Sequence, residues 1–501
     1  MAISTPVDTV WADPSIFVAG SNGESRLSSL LGMSEQTLQN LVGKRKGKEF
    51  VYLKRHVTPK VAQQVRALDL PGVFLKREYR RYYPAGEVVS HVLGFTDIDD
   101  SGQEGVELAF EDWLKGEPGK KRVIKDRLGR IIENVEGIKR PSPGKDLILS
   151  IDRRLQYLAY RELKAAVIKH KAKSGSVVLL DSQTGEILAM VNQPSYNPND
   201  RRQIKATNYR NRAVTDLLEP GSTLKPFTVA TALETKEYRP DSRIDTAPGY
   251  YKIGRYMISD VRNYGLIDVA RVIQKSSNVG VSKIALSLDS DTIWQVFSDL
   301  GFGSPTSSGF PGEAFGRLSH FSEWRDIEKA TLAFGYGLAV TPLQLAQAYS
   351  VLARGGNYRE VSLLKIEQLP ESRRVFGAET TNHLVKMLES VITAEGTGKR
   401  AAVSGFRVAG KTGTVLKSEN GGYSEDKYLS LFAGFAPATN PRLVAVVVID
   451  EPSAGEYYGG KVAAPVFSRL MNGAMRLLDI APDMLPPASD LVALNGGVVH
   501  D

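Results

Sequence analysis

Ser222 and Lys225 lie three residues apart in EPGSTLKPF, the stretch from Glu219 to Phe227, and that spacing puts both side chains on one face of a helix. Pro220 and Gly221 suit a sharp turn just upstream, and Pro226 is tolerated only near a first helical turn. The sequence therefore predicts Ser222 at or beside a helix N-terminus, where unpaired N–H groups and the dipole favour a developing alkoxide. A serine hydroxyl attacks well only when a neighbouring base takes its proton, and Lys225 is one turn away. By itself S-x-x-K is a frequent accident, usually a solvated Ser and Lys on a surface helix. Two further segments change the weighting: Ser276-Ser277-Asn278 inside KSSNVGVSKIA, and Lys411-Thr412-Gly413-Thr414 at the end of a predicted strand.

Acyl transfer needs a nucleophile, a base, donors for an oxyanion and a hold on the substrate. Ser222 is the candidate nucleophile and Lys225 the candidate base. A free lysine, with a pKa of about 10.4, is neutral near pH 7 only if it is desolvated or set beside another cation. Lys411 can supply that second charge, and the two titrations are then coupled, with neither assigned as the neutral one. Ser276 could relay a proton to a leaving group, and Asn278 could hold Lys225 and a substrate amide. Gly413 would leave room for a peptide backbone, which could add as a strand along Thr412–Thr414. Thr412 and Thr414, with Lys411, would meet a terminal carboxylate.

The rest of the chain must bring these distant segments together. Its 501 residues allow two or more domains, and 42% hydrophobic with 24% charged residues is ordinary globular composition. With no cysteine, a thiol nucleophile, a thiolate metal site and disulfides are excluded; six scattered histidines give no zinc spacing. Net charge is +8 and the pI 9.2, with the excess concentrated in KRKGK (Lys44–Lys48), Lys54, Arg55 and KREYRR (Lys76–Arg81). A solvated basic face accounts for this best; an anionic membrane or wall polymer also fits, and no nucleic-acid-binding signature accompanies it. No apolar run approaches the ~18 residues of a membrane span, and the start has no signal-peptide pattern, as though an upstream segment had been removed.

Residues 1–145 read as a non-catalytic unit. It holds a strand at Glu49–Lys54, a helix at Pro59–Ala67 and an amphipathic helix in GQEGVELAFEDWLKGEPG (102–119). The linker EGIKRPSPGKD (Glu136–Asp146) marks the boundary. A second unit, 146–478, begins with a strand at Leu147–Ile151, a helix at Arg153–Lys171 and a hairpin, Gly175–Asp181 with Glu186–Asn192. A mostly helical middle follows, then strands at Phe406–Thr414, Leu429–Pro437 and Arg442–Asp450, and a last helix at Val462–Leu478. Early and late strands predict one antiparallel sheet of about five, flanked by helices, in an α+β fold. Residues 479–501 read as a loose, proline-rich tail.

S-x-x-K, S-x-N and K-T-G in this order are the signature of penicillin-binding proteins and serine β-lactamases. The chain resembles the class B penicillin-binding proteins of the division-associated type over nearly its whole length. The likeness is strongest in Asn211–Phe227, in FGYGLAVTPLQLA (Phe334–Ala346) and in TAEGTGKRA (Thr393–Ala401), and extends to RYYPAGEVVSHVLGF and GQEGVE. The resemblance implies a penicillin-binding transpeptidase domain behind an extended pedestal- or dimerisation-like domain. It also implies an acyl-Ser222 intermediate formed from a D-Ala-D-Ala stem peptide and attacked by an amine on a neighbouring stem. The oxyanion hole would be the N–H groups of Ser222 and Thr414; Tyr336, Tyr457 and Tyr458 would line the cleft. Implied too are inhibition by β-lactams, no cofactor or metal, division-complex membrane proteins and a lipid-linked glycan polymerase as partners, and an inner-membrane anchor with a periplasmic catalytic domain. One departure is Leu416, with Lys417 next, where this type often carries a basic residue. A β-lactamase is disfavoured because no E-x-x-L-N-type segment supplies a hydrolytic base. A D,D-carboxypeptidase and a non-turnover β-lactam sensor or scaffold remain open.

Overall fold

Ser34 and Thr58 begin two helices of the first unit by accepting hydrogen bonds from the amides of Thr37 (3.2 Å) and Val61 (3.3 Å), and Pro59 follows Thr58 where its missing N–H costs nothing. The computed structural model describes residues 1–17, 22–117, 119–125, 131–200, 205–419 and 422–484. They divide into two compact units, Met1–Gly86 with Leu93–Leu147, and Glu87–Val92 with the chain from Ile148 onward. In the first, strand β1 (Ile3–Ala12) pairs antiparallel with both β2 (Val51–Val57) and β3 (Val73–Tyr82). Helices α1 (Asn22–Leu31), α2 (Glu35–Gly43) and α3 (Pro59–Ala67) bury Leu27, Leu31, Leu38 and Val65 against Val10, Ala12 and Leu53.

The basic runs are less solvated than composition suggests. Arg55 pairs with Glu78 (3.1 Å) and Asp99 (2.6 Å), Arg77 with Asp8 (2.9 Å) and Arg81 with Glu107 (2.9 Å), whereas Lys44–Lys48 is exposed. The single helix expected in 102–119 is instead a short strand, Gly102–Glu104, and two helical turns, Gly105–Ala109 and Glu111–Leu114, parted at Phe110. Leu108 and Trp113 are 43% and 46% exposed, so the apolar spacing there does not form one buried stripe.

The second unit is built on a five-stranded antiparallel sheet. Helix α4 (Arg153–Lys169), capped by Asp152, leads into the hairpin β4 (Ser174–Asp181) and β5 (Ile187–Gln193). The strand expected at Leu147–Ile151 reduces to a bridge between Leu149 and Leu364. Helices α5 (Lys225–Glu234), α6 (Val269–Lys275), α7 (Asn278–Ser287) and α8 (Pro342–Ala353) precede β6 (Ala409–Glu419), β7 (Gly422–Ala436), β8 (Leu443–Asp450) and α9 (Ala464–Leu477). Strand order is β6-β7-β8-β4-β5, so the early hairpin docks beside the late strands as expected. The inner strands are β-branched runs because both faces are covered. Val177, Leu179, Ala445 and Val447 meet α4 and α9, while α8, buried along its whole length, packs on β8, β4 and β7 from the other side. Within this unit Glu87–Val92 is pinned by Gln156 Nε2 donating to Val88 O (2.9 Å) and Asn211 Nδ2 to His91 O (3.1 Å). No helix among the described residues is long and apolar enough to cross a membrane. Residues 485–501 of the expected tail lie outside the described residues.

Candidate active site

Ser222 sits in a 3-10 turn, Gly221–Leu224, that runs directly into α5, with Pro226 in the first turn of that helix. The turn is held from below: Tyr349 on α8 donates its hydroxyl hydrogen to Thr223 O (2.8 Å), and the Thr223 hydroxyl donates to Pro220 O (2.6 Å). From the side, Gly221 N donates to Gly335 O (3.1 Å); a Cβ at Gly335, whose φ is +88°, would fall 2.2 Å from Gly221 O. Ser222 is partly exposed, whereas Lys225, three residues on, is completely buried.

The second motif is a helix junction. Helix α6 ends at Ser276 in the left-handed conformation (φ 61°), and Ser277 caps α7 by accepting from Gly280 N (2.8 Å). Asp260, some distance back in the sequence, fastens this junction: it accepts from Ser277 Oγ (2.6 Å), Asn278 N (2.5 Å) and Val279 N (3.1 Å). The sharp turn aims Ser276 and Asn278 at the buried lysines. Lys225 Nζ donates to Ser276 O (2.6 Å), Ser276 Oγ (3.1 Å) and Asn278 Oδ1 (2.7 Å). Lys411 Nζ donates to the same Ser276 Oγ (2.9 Å) and to Thr412 O (3.3 Å). One hydroxyl thus bridges two amines, and no hydrogen bond among the described residues joins Lys225 to the Ser222 hydroxyl.

Neither amine is solvated. Burial, and next the Lys411 charge, hold Lys225 well below the usual lysine range, with Asp260 acting the other way. Burial alone pulls Lys411 down to about 7. The site can therefore hold a neutral amine near neutral pH.

Strand β6 is the sheet's edge, and the Ser222 turn lies against it. A Cβ at Gly413 would sit 3.1 Å from Thr223 Cγ2 and 3.2 Å from Pro220 O. On the side where its missing Cβ would point, the room that Gly413 leaves is filled by the Ser222 turn of this chain. Thr412 and Thr397 share a hydroxyl hydrogen bond (2.8 Å), and Thr414 Oγ1 accepts from Gly459 N (2.9 Å). Lys417 turns away from the motif to Asp450 (2.7 Å) and Glu451 (2.6 Å).

Tyr336 packs edge-on against Tyr423 (5.3 Å between centroids), whose hydroxyl donates to Glu219 Oε1 (3.1 Å); Gly337 N donates to the same oxygen (2.8 Å). Burial raises the Glu219 carboxyl above its ordinary value. Tyr457 and Tyr458 lie together (4.5 Å), with Tyr428 stacked on Tyr457 at 4.1 Å and 15°. Sequence reasoning missed Asp260, Tyr423 and Tyr428 and assigned no role to Glu219, because each acts across a gap in the chain that no local spacing marks.

Two family models match the chain: the penicillin binding protein transpeptidase domain over residues 175–472 and the penicillin-binding protein dimerisation domain over residues 21–149. The chain is 45% identical over 490 residues to the peptidoglycan D,D-transpeptidase FtsI of Escherichia coli, covering 97% of this chain and 83% of that one. It is 44% identical over 486 residues to the probable peptidoglycan D,D-transpeptidase PenA of Neisseria meningitidis, covering 96% and 83%. The apo transpeptidase domain of Burkholderia pseudomallei penicillin-binding protein 3 matches with a TM-score of 0.63 and 42% identity, over 69% of this chain and all of that one. With both family domains in order and this chain matched over 97% of its length to such a relative, it belongs to the class B penicillin-binding proteins.

Proposed function

We propose that this chain is a serine D,D-transpeptidase that cross-links peptidoglycan stem peptides at D-Ala-D-Ala during septal wall synthesis. The observation that carries the reading is the pair of buried lysines sharing the Ser276 hydroxyl beside the Ser222 turn. A neutral Lys225 has two N–H groups, which suit its shortest bonds, to Ser276 O and Asn278 Oδ1, while Ser276 Oγ stays with Lys411. Its lone pair is then free to take the Ser222 proton as Oγ attacks the carbonyl of the penultimate D-alanine. The oxyanion is held by the N–H groups of Ser222 and Thr414. The C–N bond breaks, and the terminal D-alanine leaves as an amine carrying a proton relayed through Ser276. An amine on a second stem peptide then attacks the ester; its proton passes to Lys225 and the Ser222 alkoxide is reprotonated.

The stem peptide lies along Thr412, Gly413 and Thr414 as an added strand, its carboxylate near Lys411, with Tyr336, Tyr457 and Tyr458 as apolar walls. β-Lactams acylate the same serine. An anchor in the bacterial inner membrane would place the catalytic unit in the periplasm, beside division-complex membrane proteins and a lipid-linked glycan polymerase. The test is Ser222→Ala, which should abolish covalent labelling by a fluorescent penicillin while leaving the melting temperature unchanged; a labelled variant removes Ser222 as nucleophile.

A further inference from the structure

At the far end of the sheet from Thr414, where β4 turns toward β5, lies a cleft of about 370 Å³. By strand spacing and rise it is on the order of 15–20 Å from Lys411. Two arginines line it. Arg354, just beyond the end of α8, donates from Nε to Ser182 O and from Nη1 to Arg359 O (3.4 Å). Arg359 donates from Nη1 to Gln183 O. These bonds fasten the β4–β5 turn, but they leave Arg354 Nη2 and Arg359 Nε buried without a hydrogen-bond partner among the described residues. Arg442 Nε is in the same state.

The charge is as incomplete as the hydrogen bonding. Among the described residues neither Arg354 nor Arg359 forms an ion pair. Asp181, the carboxylate whose charge acts on Arg354, uses Oδ1 for the amides of Gln183 (2.8 Å) and Thr184 (3.0 Å), and Oδ2 lies 3.6 Å from Arg442. Burial, then the charge of Arg359, draws Arg354 down to about 10, with Asp181 opposing. A guanidinium buried as that of Arg354 is, beside a second cation and without an ion-pair partner, is costly to keep there. Ser372, Asn357 and Asn440 complete the lining with neutral polar groups, so the chain brings donors to this cleft and no acid.

We infer that this cleft is a binding site for a phosphate-bearing ligand, separate from the acyl-transfer site. A phosphate offers three acceptor oxygens and close to two negative charges at neutral pH, matching two guanidinium groups; a carboxylate offers two oxygens and one charge. The volume accommodates the phosphate with part of the group that carries it.

Titration of the whole chain with inorganic phosphate should show saturable binding that weakens about 10- to 100-fold in Arg359→Gln, the loss of one charge-assisted contact. Arg359→Lys, which keeps the charge and loses the fork, should fall between the two. Unchanged penicillin labelling of Ser222 and an unchanged melting temperature certify the fold of each variant. Sedimentation with vesicles containing phosphatidic acid, whose headgroup is a phosphomonoester, competed by phosphate and lost in Arg359→Gln, would assign the phosphate to a lipid headgroup. Phosphate binding without vesicle binding would assign it to a soluble source. The inference is overturned if wild-type chain binds no phosphate, if Arg359→Gln binds it equally well, or if malonate binds as tightly as phosphate.

Discussion

Lys225 and Lys411 are both stripped of water and set on one hydroxyl, and their chemistry follows from that pairing. The base must be a neutral amine, and burial together with the Lys411 charge holds Lys225 well below the ordinary lysine range. Acylation by a fluorescent penicillin should therefore rise with pH and level off well below the ordinary lysine value of about 10.4. In Lys411→Ala the charge that helps hold Lys225 down is gone, so the half-point should move to higher pH and the rate at pH 7 should fall about 100-fold. Stopped-flow labelling between acid and alkaline buffers reads both, and a half-point that stays put would exclude the coupling. Stability has its own sign here. The unfolded chain binds more protons than the folded one between about 7 and the ordinary 10.5, so Lys411 makes the fold more stable as pH rises through that window. That these residues would meet was legible in the sequence, because the acyl transfer proposed for them restricts residue types and spacing. Their bonding was not: the lone spacing of Ser222 and Lys225 says nothing of the three acceptors that surround Lys225.

Among elements, the junction of α6 and α7 is the most exacting, since it must reverse the chain and still present Ser276 and Asn278 inward. Asp260 makes this possible by taking three donors at the N-terminus of α7, where a carboxylate also meets the positive end of the helix. Asp260→Asn keeps the shape but supplies an NH₂ where Ser277 Oγ must donate. It should cost about 1–3 kcal/mol in urea unfolding. It should also slow penicillin acylation at least about tenfold through misplacement of Asn278, with Ser222 still the labelled residue. Lost stability with an unaltered acylation rate would make Asp260 a helix cap and nothing more. The elements themselves were readable where periodicity and burial agree: α3 and the hairpin of β4 and β5 lie where the pattern puts them. They were misread where apolar spacing persists without burial, as at Phe110, or where an extended run such as Leu147–Ile151 finds only a single bridge. Gly413 was recognised as a close-approach position, yet the backbone that approaches is Pro220, more than 190 residues upstream, and that pairing has no local trace.

Across the molecule, the sheet joins an early hairpin to three late strands, and the long middle segment folds between them. That topology was legible from strand count alone, but the participation of Glu87–Val92 in the second unit was not. Its sequence continues that of the first unit, and only long-range bonds assign it. Its anchor is His91, 5% exposed, with one ring nitrogen 2.8 Å from Asn208 O and the ring edge-on to Tyr196. Burial is the main cause that lowers His91 to about 4; the Asn208 bond opposes it and the Arg212 charge adds to it. The unfolded chain, with histidine at its ordinary 6.5, binds more protons between about 4 and 6.5, so stability falls as pH drops through that window. The full drop corresponds to about 3 kcal/mol from this one group. Wild type and His91→Gln, whose amide can still donate to Asn208 O, should therefore differ in slope: their unfolding free energies converge on acidification from pH 7 to pH 4. Urea unfolding at several pH values gives that slope, and hydrogen exchange of residues 87–92 shows whether the lost stability is spent on releasing this segment. Parallel pH profiles for the two proteins would mean that His91 is charged or solvated in the folded chain. The 87–92 segment would then be held by Gln156 and Asn211 without it.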